Sequence, residues 1–274
     1  MLTNIQNGTL PLANGDMHYI RFGKGERALV MLPGLGDGLM TVKGKALPIA
    51  AMYRIFARAF TVYMFSRRNN LSPGDTTRSM ARDTAQAMHA LGIEKADVLG
   101  VSMGGMIAQH LAADYPEKVR RLVLAVTCAC ANPVLEASVQ EWIALARRGD
   151  YSGLMHSQFR RRYSEAYFRR NRWMIPLVCG LTKPKSFDRF LIQAGACLGH
   201  NAQESLSKIA APTLVIGGER DTALGAQPSR EMAEAIPGAA LRMYADWGHA
   251  LYEETPDFNR IVLDFLCAEE PLAD

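Results

Sequence analysis

The chain lacks most of what would mark it as secreted, membrane-spanning or nucleic-acid-binding. Only five cysteines occur in 274 residues, Cys128, Cys130, Cys179, Cys197 and Cys267. An odd number leaves at least one thiol unpaired, and Cys128-Ala129-Cys130 has neither the spacing of a zinc site nor that of a thioredoxin-type pair. Buried free thiols in a reducing cytosol are expected, with no metal. Apolar runs such as Leu122 to Val126 fall far short of the roughly 20 residues that cross a bilayer, so no membrane partner is expected. Met1 to Gly8 shows neither a basic n-region nor an apolar h-region, so no signal peptide is expected and the protein reads as cytoplasmic. An excess of one sign of charge is nearly absent as well. The net charge is +4, a mild attraction for anions and too little for a nucleic-acid binder. There are no internal repeats and no low-complexity tracts.

What is present is an ordinary globular composition, 49% hydrophobic, on a chain long enough for one large α/β domain with an insertion. Eight strand-like segments stand out. Thr9–Leu12 and Met17–Arg21 flank Asn14-Gly15, a two-residue hairpin signal. Ala28–Leu32, Thr61–Phe65, Ala96–Val101, Val119–Val126, Pro212–Ile216 and Ala240–Tyr244 follow. Most of them alternate with helical patterns at Ile49–Ala59, Asp75–Leu91, Met103–Tyr115, Ser229–Ala235 and Asp257–Cys267. Continuous apolar strands between helices predict a mainly parallel eight-stranded sheet covered on both faces. The alternation fails between Asn132 and Ser207, where Val134–Arg147, Gly153–Tyr163, Glu165–Cys179 and Ser186–Leu198 all read as helices. Asn132-Pro133 is a helix start. The expected organisation is a core of residues 1–131 and 208–274 with a helical cap over 132–207, since long insertions of this kind are usually functional lids.

Chemistry concentrates at Gly100-Val101-Ser102-Met103-Gly104-Gly105. A serine at a sharp strand-to-helix turn occupies a cramped backbone, and glycines two before and two after leave the room a Cβ would fill. The ordinary alternative is a surface turn whose serine caps a helix. A reactive serine needs a base and an oriented acid, which in a parallel sheet come from loops at the carboxyl ends of other strands. One such loop is Gly217-Gly218-Glu219-Arg220-Asp221 and another is Ala245-Asp246-Trp247-Gly248-His249. Asp221 and His249 complete the order Ser, Asp, His. Glu219 and Asp246 are rival acids.

With these three motifs in order, the chain resembles the α/β-hydrolase superfamily over nearly all its length except the cap. Gly100 to Gln109 followed by Pro116-Glu117-Lys118-Val119 is similar to small bacterial carboxylesterases and 3-oxoadipate enol-lactonases, as are Pro212 to Asp221 and Gly248-His249. The resemblance implies Ser102 as nucleophile, His249 as base and Asp221 as its orienting acid. It further implies an oxyanion hole from the backbone N–H groups of Met103 and Leu35, no cofactor, and a small ester or lactone and water as the reacting partners. The sequence departs from the family twice. Pro33-Gly34 stands where His-Gly is common, and Ser66-Arg67-Arg68-Asn69 replaces Asp-x-Arg-Gly. Arg68 then reads as a structural tie for its loop. In the cap, Trp142, Phe159 and Trp173, together with Met103, are candidates for an apolar acyl pocket. Arg160-Arg161-Arg162 and Arg169-Arg170-Asn171-Arg172 read as a solvated basic face or as a grip on a carboxylate-bearing substrate. His18, His89 and His110 read as surface or packing residues, and His156 and His200 lie in the cap. Enol-lactone hydrolysis, C–C bond hydrolysis and perhydrolysis keep the same three residues and stay open, as does a ligand receptor on this fold.

Overall fold

A computed structural model describes residues 3–268. Eight strands form one sheet in the order β1-β2-β4-β3-β5-β6-β7-β8. They are β1 Gln6–Leu12, β2 Gly15–Gly23, β3 Arg27–Leu32, β4 Phe60–Arg68, β5 Ala96–Val101, β6 Val119–Ala125, β7 Thr213–Gly218 and β8 Ala240–Tyr244. The β1–β2 and β2–β4 pairs are antiparallel and every other pair is parallel. β5 and β7 are buried at every position, which is why their sequences run apolar without alternation. The hairpin turn falls on Ala13-Asn14, one residue earlier than the Asn14-Gly15 signal implies, because Leu12 already pairs with Gly15. Gly15 takes φ +133° inside the strand.

The helices are α1 Ala46–Met52, α2 Thr77–Ala90, α3 Met103–Asp114, α4 Pro133–Arg147, α5 Tyr151–Arg162, α6 Glu165–Asn171, α7 Ile175–Thr182, α8 Asp188–Leu198, α9 Gln203–Leu206, α10 Gln227–Ala235, α11 Leu251–Glu254 and α12 Phe258–Cys267. Side chains alternate along the strands between two cores. Val30, Val98, Leu122 and Val215 pack with α2, α3 and α10 on one face. Leu29, Leu99, Val123 and Ile216 pack with α1 and α12 on the other. Local signals set several boundaries. Asn132 caps α4 through Val134 and Leu135 N–H with Pro133 in the first turn, and Thr76 and Ser79 form a reciprocal capping box at α2.

Two expected helices are broken. The Ile49–Ala59 stretch is α1 up to Met52 and then a 3₁₀ turn, Arg54–Arg58. The Glu165–Cys179 stretch splits into α6, a 3₁₀ turn Arg172–Met174, and α7. Pro176 has no N–H for the fourth carbonyl back and its ring crowds it, so the helix restarts with Pro176 in a first turn.

From β6 to β7 the chain runs through α4 to α9. The two ends of this insertion are stitched together where it leaves the sheet. Cys130 and Asn201 form an antiparallel bridge, with Ala131 N–H on His200 O at 3.2 Å and Ala202 N–H on Ala129 O at 2.7 Å. Five free cysteines are present, and burial pushes the Cys197 thiol up to about 12. Among the described residues no helix is long and apolar enough to cross a membrane.

Candidate active site

Ser102 sits between β5 and α3 at φ +54°, ψ −122°, outside the regions open to most residues with a Cβ. The turn is possible because nothing can stand at its flanks. A Cβ on Gly100 would lie 2.6 Å from Gly104 O, and one on Gly104 would lie 1.9 Å from Leu32 O. Ser102 N–H donates to Ala125 O at 2.9 Å, which pins the turn to β6.

The loops after β7 and β8 are laced by Glu219 N–H to Tyr244 O and Arg220 N–H to Trp247 O, both at 3.0 Å. They bring Asp221 and His249 to the same sheet edge. His249 Nδ1 is 2.8 Å from Asp221 Oδ2 and His249 Nε2 is 3.0 Å from Ser102 Oγ. A carboxylate only accepts, so the satisfied tautomer donates from Nδ1 to Asp221 and leaves Nε2 to accept from the serine hydroxyl. Asp221 Oδ1 accepts from Ala223 N–H at 2.8 Å and Leu224 N–H at 2.9 Å, so every oxygen of that buried carboxylate is engaged. The rival acids are committed elsewhere. Glu219 takes Arg230, and the exposed Asp246 takes Arg220.

Met103 is the first residue of α3 and Leu35 the first of a 3₁₀ turn, Leu35–Gly38. Amides at such positions have no partner within their own helix. The Leu35 turn lies against the serine, with a Gly34 Cβ position only 3.3 Å from Ser102 Cβ. It is held by residues the sequence did not mark. Arg67 donates to Pro33 O through Nη2 and to Asp37 Oδ2 through its backbone N–H at 3.0 Å. Arg189 on α8 donates to Asp37 O, to Asp37 Oδ2 at 2.7 Å and to Arg67 O at 2.7 Å. Burial alone would raise the Asp37 pKa, but Arg189 and Arg67 hold it below the usual carboxylate value. Burial pushes Arg67 down to about 10 against the pull of Asp37. Unmatched cations beside Pro33-Gly34 were the available clue, in Ser66-Arg67-Arg68. Arg68 itself ties the neighbouring loop, bonding Asp75, Asp83 and Asn14 O.

Ser102 and His249 stand in the wall of a cavity of about 330 Å³. It runs past Leu32, Leu35, Leu99 and Val101 toward α1, and Met31, Met40, Met52 and Met64 line it. From the insertion it receives Trp142, Gln158 and Arg162. Phe159 and Trp173 do not line it. Phe159 packs on Tyr163 at 4.7 Å between ring centroids, and Trp173 is 70% exposed on the Arg172–Met174 turn. An apolar side chain on an amphipathic helix carries no mark of which neighbour its face meets. Within the Arg160-Arg161-Arg162 and Arg169-Arg170-Asn171-Arg172 clusters, Arg161 pairs with Glu141, Arg162 with Glu253 and Arg169 with Glu165.

An eight-stranded, mainly parallel sheet with a serine at the β5–α3 turn and an aspartate and histidine after β7 and β8 defines a class of hydrolase fold. The alpha/beta hydrolase fold family model matches residues 27–256, and the chain belongs to that family. A RutD protein of Azorhizobium caulinodans, named for carbamate hydrolysis, is 29% identical over 95% of this chain and 99% of its own. A 2-hydroxy-6-oxononadienedioate/2-hydroxy-6-oxononatrienedioate hydrolase from a Pseudomonas species is 27% identical over 92% of each chain. In fold, the enol-lactonase from Burkholderia xenovorans LB400 is similar with a TM-score of 0.82, at 21% identity, over 95% of this chain and all of that one.

Proposed function

We propose that this protein is a serine hydrolase that cleaves a carboxylic ester or lactone through an acyl-enzyme. The observation that carries the reading is the unbroken relay from Asp221 through His249 to Ser102 in a cavity wall. Ser102 Oγ attacks the carbonyl carbon as its proton passes to His249 Nε2. The N–H groups of Leu35 and Met103 receive the oxyanion. His249 then returns the proton to the departing alkoxide, or to the ring oxygen of a lactone. Water, deprotonated in turn by His249, attacks the acyl-serine and frees the acid. Asp221 holds the imidazole tautomer and stabilises the imidazolium. The chemistry needs no cofactor.

The insertion over residues 132–207 serves as a cap, supplying Trp142, Gln158 and Arg162 to the cavity roof. An apolar, methionine-rich wall suits a neutral acyl group, because thioether chains adapt their shape. The one cap arginine that lines it already holds Glu253 and the Tyr252 hydroxyl, which weighs against a carboxylate grip there. A fluorophosphonate probe tests the reading. Wild type labels and hydrolyses p-nitrophenyl butyrate, and Ser102→Ala loses both, with turnover down by at least about 10³-fold. An unlabelled, inactive wild type supports the receptor alternative, and labelling that survives the substitution removes Ser102 as nucleophile.

A further inference from the structure

The Leu35–Gly38 turn carries one of the two proposed oxyanion donors, yet α8, which grips it, belongs to the insertion. Arg189 bonds Asp37 through both its carboxylate and its main-chain oxygen, and spans to Arg67 O at the end of β4. Gln193, one helical turn on, points its amide at the same Asp37 Oδ2 at 3.4 Å. Gly38 is so close to α8 that a Cβ there would come within 2.8 Å of Phe190 Cα. Asp37 and Gln193 are buried, and the Arg189 side chain is 17% exposed. The planar fork of an arginine fixes direction as well as distance. Three bonds from one guanidinium therefore set where the turn sits relative to Ser102.

We infer that Arg189 is a positioning residue that aims the Leu35 N–H at the reacting carbonyl, so that the insertion completes the oxyanion hole of the core. The inference rests on the serine-hydrolase reading above. Arg189 touches no substrate; it acts through Asp37 and the Pro33–Asp37 backbone, which Arg67 holds from the other side. A turn released on one side leaves substrate binding intact and weakens only the transition state, where charge has moved onto the oxygen.

The test compares wild type with Arg189→Gln, Arg189→Lys and Asp37→Asn on a p-nitrophenyl ester. It also compares their inhibition by a trifluoromethyl ketone, which forms the tetrahedral oxyanion adduct. Losing one oxyanion donor costs about 10²–10³ in rate, so a misaimed donor is expected to cost about 10–100-fold. Arg189→Gln should lower kcat by that factor with KM within about twofold, and weaken the trifluoromethyl ketone by the same factor. Arg189→Lys should recover part of both, and Asp37→Asn should show the same split should Arg189→Gln fail to fold. Variants that lose thermal stability but keep kcat and ketone affinity within about twofold overturn the inference, as does a KM increase that accounts for the loss. Failure of the hydrolase reading shows separately, as a wild type that neither labels nor turns over, and takes this inference with it.

Discussion

At Ser102 the backbone holds φ +54°, which for a residue with a Cβ costs on the order of 1–3 kcal/mol. The bonds around it offset that cost, with Ser102 N–H tied to β6 and Oγ to His249. Asp221 is the residue whose role is most exposed to test. Both its oxygens accept, one from His249 and one from two backbone amides. Asparagine has a single acceptor oxygen, and the two amides claim it. Its NH₂ then faces His249 Nδ1, which must accept, so the ring proton moves to Nε2 and the serine loses its base. Asp221→Asn is expected to lower kcat by about 10⁴-fold with little change in melting temperature. A loss below tenfold would remove the acid from this position. The spacing Gly-x-Ser-x-Gly was legible because a steric requirement two residues away is local. The choice of Asp221 over Glu219 came from the resemblance and its spacing, and what the fold adds is the reason, since the turn after β7 sends Asp221 to His249 and leaves Glu219 with Arg230.

Among the elements, the stitched neck of the insertion is expected to be sensitive to acid. His200, beside the Cys130–Asn201 bridge, bonds Thr77 Oγ1 of α2 at 2.8 Å and stacks edge-on with His110 of α3 at 5.2 Å. Burial, with His110 adding to it, depresses His200 to about 3, and burial also lowers His110, against which Asp114 pulls upward. His200 is therefore neutral in the fold well below neutral pH and His110 takes up its proton less readily than a free imidazole, while the unfolded chain takes up protons below about pH 6.5. Stability is complete above that pH and falls as pH drops toward the folded-state value, by at most about 1.4 kcal/mol per pH unit for each histidine. The melting temperature is expected to fall between pH 7 and pH 5, and His200→Gln, which keeps a partner for Thr77, should shallow that slope. Parallel slopes in calorimetry would assign the acid sensitivity to other groups. The sequence placed His200 in the cap and no more, because its partners are 123 and 90 residues away. Caps such as Asn132-Pro133 were readable in place. The break before α7 was signalled by Pro176, which the periodicity of Glu165–Cys179 outweighed.

For the whole molecule, the sheet brings three distant side chains to one edge and leaves a cavity of about 330 Å³ beside them. At about 30 Å³ per non-hydrogen group, the space takes on the order of ten atoms. Each methylene buried is worth about 0.8 kcal/mol, or roughly fourfold in kcat/KM. Along a series of p-nitrophenyl esters, kcat/KM is expected to climb from acetate to about the octanoate and to fall for the hexadecanoate. A half-ester with a terminal carboxylate should lag its neutral counterpart by at least about tenfold. A series that is flat or falls from acetate onward contradicts an acyl pocket, and a faster half-ester assigns Lys45, the other cation in the wall, as its counter-charge. The sequence alone determined the class of fold, the Gly-x-Ser-x-Gly turn, the chain order of serine, aspartate and histidine, and the helical character of residues 132–207. These follow from steric and hydrophobic patterns a few residues long, which the chain carries wherever it folds. Only the tertiary structure decided that Arg67, Asp37 and Arg189 meet at the Leu35 turn, that Trp142 faces the cavity while Trp173 faces solvent, and that the cavity runs toward α1. Those outcomes depend on which faces pack against one another across more than a hundred residues, and no local pattern encodes that choice.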